Sequence, residues 1–226
     1  GTWSLKAGDF EKNGRMIGDM GVPVLVIQEG GYRHRTLGVN ARSFFKGLAA
    51  GVDRWNRARH APRERLHGLK FRESVAPDDV GRIRRLVAVT GFFSSEEIDI
   101  AAELVQERLR TGDASGYHFL LVEHYGRLAG YTCYGPIPAT RSSFDVYWIA
   151  VHTDYQRRGL GRRLLQETEK RIAKAGGSRI YVDTSQRVQY ASTRAFYESC
   201  GYRLESVLSD FYAPGDGKVI YCKSLT

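Results

Sequence analysis

Asp145-Val-Tyr-Trp-Ile-Ala-Val-His-Thr-Asp-Tyr-Gln-Arg-Arg-Gly-Leu-Gly161 runs from an apolar, β-branched stretch into a polar loop with two glycines and paired arginines, and an amphipathic segment opens at Leu160. The apolar part, Phe144 to Val151, predicts a strand, and Leu160 to Lys174 predicts a helix. Gly159 and Gly161 carry no side chain to bar a ligand, so successive backbone N–H groups can converge on a pyrophosphate at the positive end of a helix dipole. Arg157, Arg158 and Arg162 place full charges beside it. A strand feeding a glycine-punctuated helix start is by itself a common structural device, so its meaning depends on what surrounds it.

Downstream, Arg179 to Asp183 predicts a strand, Tyr190 to Cys200 a helix, and Tyr202 to Ser209 and Lys218 to Lys223 two closing strands around the turn Ala213 to Gly217. Upstream, Phe71 to Val75 predicts a strand and Pro77 to Val89 a helix. A second helix starts after Ser94, whose hydroxyl can cap it while Glu97 reaches back. Ile98, Ala101, Ala102, Val105 and Leu109 share one face of that helix, and Gly112 ends it. His118 to Glu123 and Leu128 to Tyr134, joined at Gly126, predict a hairpin. The order is βααβββαβαββ, an α/β domain.

The first part of the chain is different in kind. An amphipathic stretch from Asp9 to Met20, the apolar run Val22 to Ile27, a Gly30-Gly31 turn and a helix from Leu37 to about Trp55 make an αβα fragment. A strand apolar on both faces belongs in a covered parallel sheet, so this segment needs a larger α/β domain, the following domain or another copy of the chain to pair with. Arg54 to Gly68 is polar, arginine-rich and broken by Pro62, as a boundary between folding units is. The division is therefore 1–56 for the fragment, 57–69 for a basic linker and 70–226 for the main domain. A chain of 226 residues accommodates one whole catalytic unit plus something partial.

Composition excludes several classes. No apolar run has the length of a bilayer-spanning helix, so no membrane partner is expected, and Gly1 to Phe10 has no basic stretch, apolar core and cleavage site of a secretion signal. Cys133, Cys200 and Cys222 are widely spaced with no C-x-x-C pair, which fits a reducing cytoplasm, and the six histidines make no metal-ligand spacing. The net charge of +9 is local, with 13 Lys and Arg against 6 Asp and Glu in residues 1–70 and 21 against 19 in the rest. Much of the excess is Arg54, Arg57, Arg59, Arg63 and Arg65, which lack the aromatic interleaving of a nucleic-acid reader and read as a solvated connector.

Gln156-Arg-Arg-Gly-Leu-Gly161 resembles the Q/R-x-x-G-x-G/A signature of the GNAT acetyltransferases, and Ala195-Phe-Tyr-Glu-Ser-Cys-Gly-Tyr202 resembles that family's second motif at the expected distance. The resemblance covers Phe71 to Leu225. It implies a mixed, splayed β-sheet flanked by helices, with acetyl-CoA as co-substrate and no metal. Backbone groups of Ile149 and Val151 would pair with the pantetheine arm. Gln156, Arg157, Arg158, Gly159, Leu160, Gly161 and Arg162 would hold the pyrophosphate. It also implies acetyl transfer to a primary amine, of a small molecule or of a protein or peptide, by direct attack in a ternary complex. Tyr197 matches the family tyrosine that protonates or hydrogen-bonds the departing sulfur, although many relatives have an asparagine where this chain has Tyr190. Asp145 stands where the histone-acetyltransferase branch has its catalytic glutamate; it acts as the base, attracts a cationic amine, or makes a local turn bond. Glu123 and Tyr147 are further candidates. Glu96, Glu97 and Asp99 either recognise a cationic amine or simply favour the helix start. The alternative from another class is a non-catalytic acyl-CoA-binding module whose N-terminal segment serves docking or dimerisation.

Val24-Leu-Val-Ile-Gln-Glu-Gly-Gly-Tyr-Arg33, followed by Leu37-Gly-Val-Asn40, resembles the end of a histone-deacetylase-like amidohydrolase of the acetylpolyamine type, over about Trp3 to Arg54. The tyrosine matching Tyr32 helps polarise the acetyl carbonyl on zinc in that family. The Asp and His ligands of such a zinc site are missing from this segment, which is expected to be an incomplete, non-catalytic part of a longer deacetylase-acetyltransferase fusion, or a remnant of one.

Overall fold

The computed structural model describes residues 6–20, 34–60 and 66–225, the side chains of 34–37 and 54–60 excepted. The chain divides into two units, Gly1–Glu64 and Arg65–Thr226. In the first, α1 (Ala7–Asp19) packs on α2 (His34–His60) through glycines. A Cβ at Gly14 would lie 2.1 Å from the Phe44 carbonyl oxygen, and one at Gly47 would lie 1.9 Å from that of Glu11. The two backbones therefore touch directly, which no residue with a side chain permits. The expected strand Val22 to Ile27, the Gly30-Gly31 turn and Tyr32 lie outside the described residues. Helix α2 corrects the linker drawn at 57–69, because it continues to His60. Arginine is a good helix former, so Arg54, Arg57 and Arg59 prolong the helix where they were taken for a connector, and Pro62 follows its end.

The second unit contains β1 (Leu69–Arg72), α3 (Pro77–Thr90), α4 (Ser95–Thr111), β2 (His118–His124), β3 (Arg127–Pro136), β4 (Ser143–Val151), α5 (Leu160–Lys174), β5 (Arg179–Ser185), α6 (Ala191–Ser199), β6 (Arg203–Ala213) and β7 (Asp216–Ser224). This is the expected order. The main shifts are at the ends: β1 starts and stops earlier than Phe71 to Val75, and β6 runs on to Ala213, leaving a tight turn with Gly215 at φ 80°. Pro77 at the first turn of α3 ends the extended segment, and Ser94 and Glu97 form the reciprocal cap that starts α4.

All seven strands form one sheet in the order β1-β2-β3-β4-β5-β7-β6, antiparallel except between β4 and β5. Phe119 and Leu121 face the helices α3 and α4, packing with Ile83, Val87, Val105 and Tyr131, while Leu120 and Val122 join Leu164, Leu165, Ile180 and Tyr197 on the opposite face. The apolar run Phe119 to Val122 is thus a strand covered on both sides. Strand β4 pairs with β3 over its length, and the register slips at Cys133 and Tyr134 so that Tyr147 is an extra residue on β4. Against β5 it pairs only at Ser143–Asp145 with Arg179–Tyr181. Beyond Asp145 the two strands part, while β7 pairs with the other edge of β5 along its whole length.

The β1, α3 and β2 edge is locked by charge. Arg72 donates from Nη1 and Nη2 to Asp79 at 2.8 and 2.6 Å, and Arg82 donates to Glu123 at 2.7 Å and to the Gly126 carbonyl at 3.0 Å. Asp79 is fully buried and also accepts from the Ala76 N–H at 2.8 Å. Burial would raise its carboxyl, but Arg72, Ala76 and Arg82 outweigh it and hold the group below its ordinary value. Removing one partner of a buried pair strands the other, so Asp79→Ala is expected to cost about 3–5 kcal/mol in urea unfolding. Because its folded pKa is depressed, the wild-type protein has this contribution above about pH 4 and loses it as pH falls through the folded value. Urea midpoints of wild type and variant should therefore converge in acid; a constant gap would refute the charge assignment.

Candidate active site

The parting of β4 from β5 opens a cavity of about 600 Å³. Its walls are the open edge of β4, β5, the α3–α4 loop with Phe92 and Phe93, and the start of α6. The His152 N–H donates to the Ala129 carbonyl at 2.9 Å, continuing the register that sets Val151 opposite Gly130. Bonded and non-bonded pairs alternate along an antiparallel ladder, so Ile149 and Val151 turn their N–H and C=O groups away from β3, toward the cavity. Gln156 reaches back along this edge, its Nε2 donating to the Val151 carbonyl at 2.9 Å. The Ile149 peptide groups and the Val151 N–H are left to face the cleft.

The loop after β4 makes one short 3₁₀ turn, Thr153–Tyr155, and enters α5 through Gly159 at φ 82°. Only glycine adopts that conformation without strain. The first bond of α5 runs from the Arg163 N–H to the Gly159 carbonyl at 3.1 Å, so the N–H groups of Leu160, Gly161 and Arg162 precede it, as at any helix start. Three amides and a helix dipole at the end of an open strand edge are what a pyrophosphate requires. The side chains divide differently from the expectation. Leu160 is buried in the core and has only its backbone to offer. Arg162 donates to the Ser199 carbonyl at 2.7 Å and to Ser199 Oγ at 3.0 Å, tying α5 to the end of α6. Arg157 is exposed and Arg158 half-buried.

Tyr197 is buried on α6 with rings of Tyr202 and Tyr221 at 5.8 and 6.1 Å, and it lines the cavity. Burial, then the charge of Asp183 and the Cys200 thiol, raise its phenol well above the ordinary value. Tyr190 bonds through its hydroxyl to the Phe92 carbonyl at 3.3 Å, bracing α6 against the α3–α4 loop. Asp145 is half-buried in the same cavity, its carboxyl pushed up to about 6 by burial and by Asp183, with Lys218 opposing. Lys218 is ion-paired to Asp183. Of the other base candidates, Glu123 is bound into the Arg72 and Arg82 pairs, outside the cavity, and Tyr147 is a cavity phenol pushed up to about 12. Glu97 lines the cavity but caps α4, and Asp99 pairs with Arg84. Sequence reasoning missed Asp183, Lys218 and Tyr212; the available signal was the alternation of Tyr181, Asp183 and Ser185 in an otherwise apolar strand.

Residues 85–202 match the model of the Acetyltransferase (GNAT) family, more than half of this chain, and the chain belongs to that family. It is a GNAT-type N-acetyltransferase, of a family that takes acetyl-CoA as co-substrate. A solved structure of a GNAT acetyltransferase from Desulfovibrio desulfuricans is 46% identical, with a TM-score of 0.69 over 70% of this chain and 99% of that one. The [ribosomal protein bS18]-alanine N-acetyltransferase of Escherichia coli K12 is 36% identical over 70 residues, 31% of this chain; the match spans 46%, about half, of that curated relative. An acetylpolyamine amidohydrolase of Burkholderia pseudomallei is 46% identical over 41 residues, 18% of this chain and 12% of that protein. Among the described residues no group of three or more His, Cys, Asp or Glu is placed to hold a metal ion, and no helix is long and apolar enough to cross a membrane.

Gly161 isolates the ligand's share in this site. A Cβ there would stand 3.5 Å from Phe196 and 3.7 Å from Val151, ordinary contacts, so nothing in the protein demands glycine. Gly161→Ala should keep or slightly raise the melting temperature, since alanine favours a helix, while weakening coenzyme A at least about tenfold in calorimetry. Unaltered affinity would remove the loop from the phosphate site.

Proposed function

We propose that this chain moves the acetyl group of acetyl-CoA directly to a primary amine within a ternary complex, with Asp145 as base and Tyr197 as the donor facing the leaving sulfur. The supporting observation is their meeting in one cavity with the right protonation. Asp145 has no ion-pair or hydrogen-bond partner among the described residues, and a carboxyl titrating near 6 is ionised at neutral pH yet far more basic than an ordinary aspartate. An acceptor arriving as an ammonium first gives one proton to solvent, and Asp145 takes the second, which the attacking nitrogen must lose as the C–N bond forms and the C–S bond breaks. The phenol of Tyr197 lies well above a thiol, whose pKa is about 8.5, so it keeps its proton and hydrogen-bonds the departing thiolate without ionising. The open peptide groups of Ile149 and Val151 would hold an extended amide-bearing arm, and the amides of Leu160, Gly161 and Arg162, with Arg157 and Arg158 nearby, would hold the linked phosphates.

The likeness to the bS18-alanine enzyme keeps a peptide amine among the candidate acceptors, beside small amines. We infer for the first unit a deacetylase-like, non-catalytic role, supported by the short amidohydrolase match; association of copies through it belongs to the same reading. The three free thiols accord with a reducing cytoplasm.

The rate tests both residues. Thiol release under kcat/KM conditions should rise with pH through about 6 and then level, because the deprotonated carboxylate is the active form. Asp145→Asn should lose about 10²-fold or more in kcat and that limb with it; an unchanged limb assigns the base elsewhere. Tyr197→Phe should lower kcat about tenfold or more with acetyl-CoA affinity nearly unchanged, and an equal loss of both would contradict the leaving-group role.

A further inference from the structure

Four carboxylates line the cavity, and three are already engaged. Glu97 accepts the Ser94 N–H at 2.8 Å in the α4 cap. Asp183 is ion-paired with Lys218. Asp216 accepts from Arg187 Nε at 2.6 Å and from Ser185 Oγ at 2.5 Å. Asp145 alone among the four is unpartnered within the described residues. The wall beside it is aromatic. Tyr147 feels the charge of Asp145, and Tyr117 stands edge-on to it with ring centres 5.4 Å apart. Tyr212, half-exposed, borders the same space, and Phe93 packs on Trp148 at 4.9 Å deeper in.

We propose that the acceptor is a small primary amine with a single positive charge on an apolar or aromatic body, an alkylamine or aralkylamine, and not a polycation; this rests on the acetyl-transfer reading of the same cavity. One ammonium group finds one unpaired carboxylate. A second, carried by a polyamine or an aminoglycoside, would be desolvated against acids whose charge is already answered by Lys218 and Arg187, a cost that no new pair offsets. Aromatic faces, in turn, accept alkyl and ring surface and the approach of one cation. Asp183 and Asp216 are thus held by Lys218 and Arg187, and neither acid is free to take a second ammonium.

The full-length protein with acetyl-CoA is tested against 2-phenylethylamine, hexylamine, spermidine, kanamycin and an alanine-terminated peptide, reading kcat/KM by thiol release. The two monoamines should exceed spermidine and kanamycin by at least about tenfold. Tyr212→Ala, at a position 50% exposed and so outside the core, should raise KM for 2-phenylethylamine about tenfold with little change in kcat, the size of one lost aromatic contact. A preference for spermidine, kanamycin or the peptide overturns the monoamine assignment and leaves acetyl transfer standing. Acetyl-CoA binding with none of the five acetylated overturns both.

Discussion

Strands β4 and β5 are neighbours for three residue pairs and then separate, and the rest of the domain is arranged around that gap. The two strands are parallel and joined by the crossover through α5, so the chain must leave the sheet at Val151 and return at Arg179. Strand β7 pairs with the other edge of β5 from Arg179 to Ser185, and beyond Asp145 the β5-side edge of β4 is free. Buried or cleft-facing peptide groups need partners. Gln156 satisfies one of them, at Val151, and the remainder form a template that a ligand with amides of its own can complete. The helix start at Gly159 lies at the end of this same edge, so the geometry that deprives β4 of a partner also aims three backbone N–H groups along its line.

Much of this is legible in the residues. The alternation of polar and apolar positions, the Ser94 and Glu97 cap, and the glycine at Gly159 report local conformational demands, and local demands are what a sequence records directly. The run His118 to Glu123 reads as one strand of a hairpin, and it is one, with Phe119 to Val122 buried on two faces. What escapes is pairing between distant segments. Nothing in the composition of Arg162 tells that its guanidinium goes to Ser199 and not to an anion, and Glu123 looks like a cleft acid until Arg72 and Arg82 are seen to claim it. Asp183, Lys218 and Tyr212 come from β5, β7 and β6, and only the sheet order brings them to one place. The length of α2 was misread for another reason: arginines favour helix and solvent alike, and a charge run does not reveal which preference governs.

Asp79 and Asp145 show how far surroundings decide what one side chain does. Both are withdrawn from water, which alone would raise both. Around Asp79, two guanidinium groups and a backbone N–H overcome that penalty, so the carboxylate stays charged to lower pH than an ordinary aspartate and serves as a structural joint. Asp145 meets no cation directly and faces another acid, so its affinity for a proton rises into the range where proton exchange is useful. A residue already bonded to a guanidinium has little reason to accept a proton from substrate. A structural joint and the base proposed at Asp145 are therefore alternatives for the same chemical group, and the partners delivered by neighbouring strands choose between them.

That choice at Asp145 depends on how Asp183 is held. The charge of Asp183 pushes Asp145 toward its neutral form, and an uncompensated Asp183 would raise Asp145 further, away from the ionised form a base needs. Lys218 limits the effect by pairing with Asp183, and its ammonium also sits over the Phe211 ring at 5.0 Å. Lys218 lies on β7, opposite Ser185 of β5, so the strand on the far edge of β5 brings the cation that opposes the rise at Asp145. The gap between β4 and β5 exposes the edge that carries Asp145, and the β5–β7 pairing places the cation that limits its proton affinity.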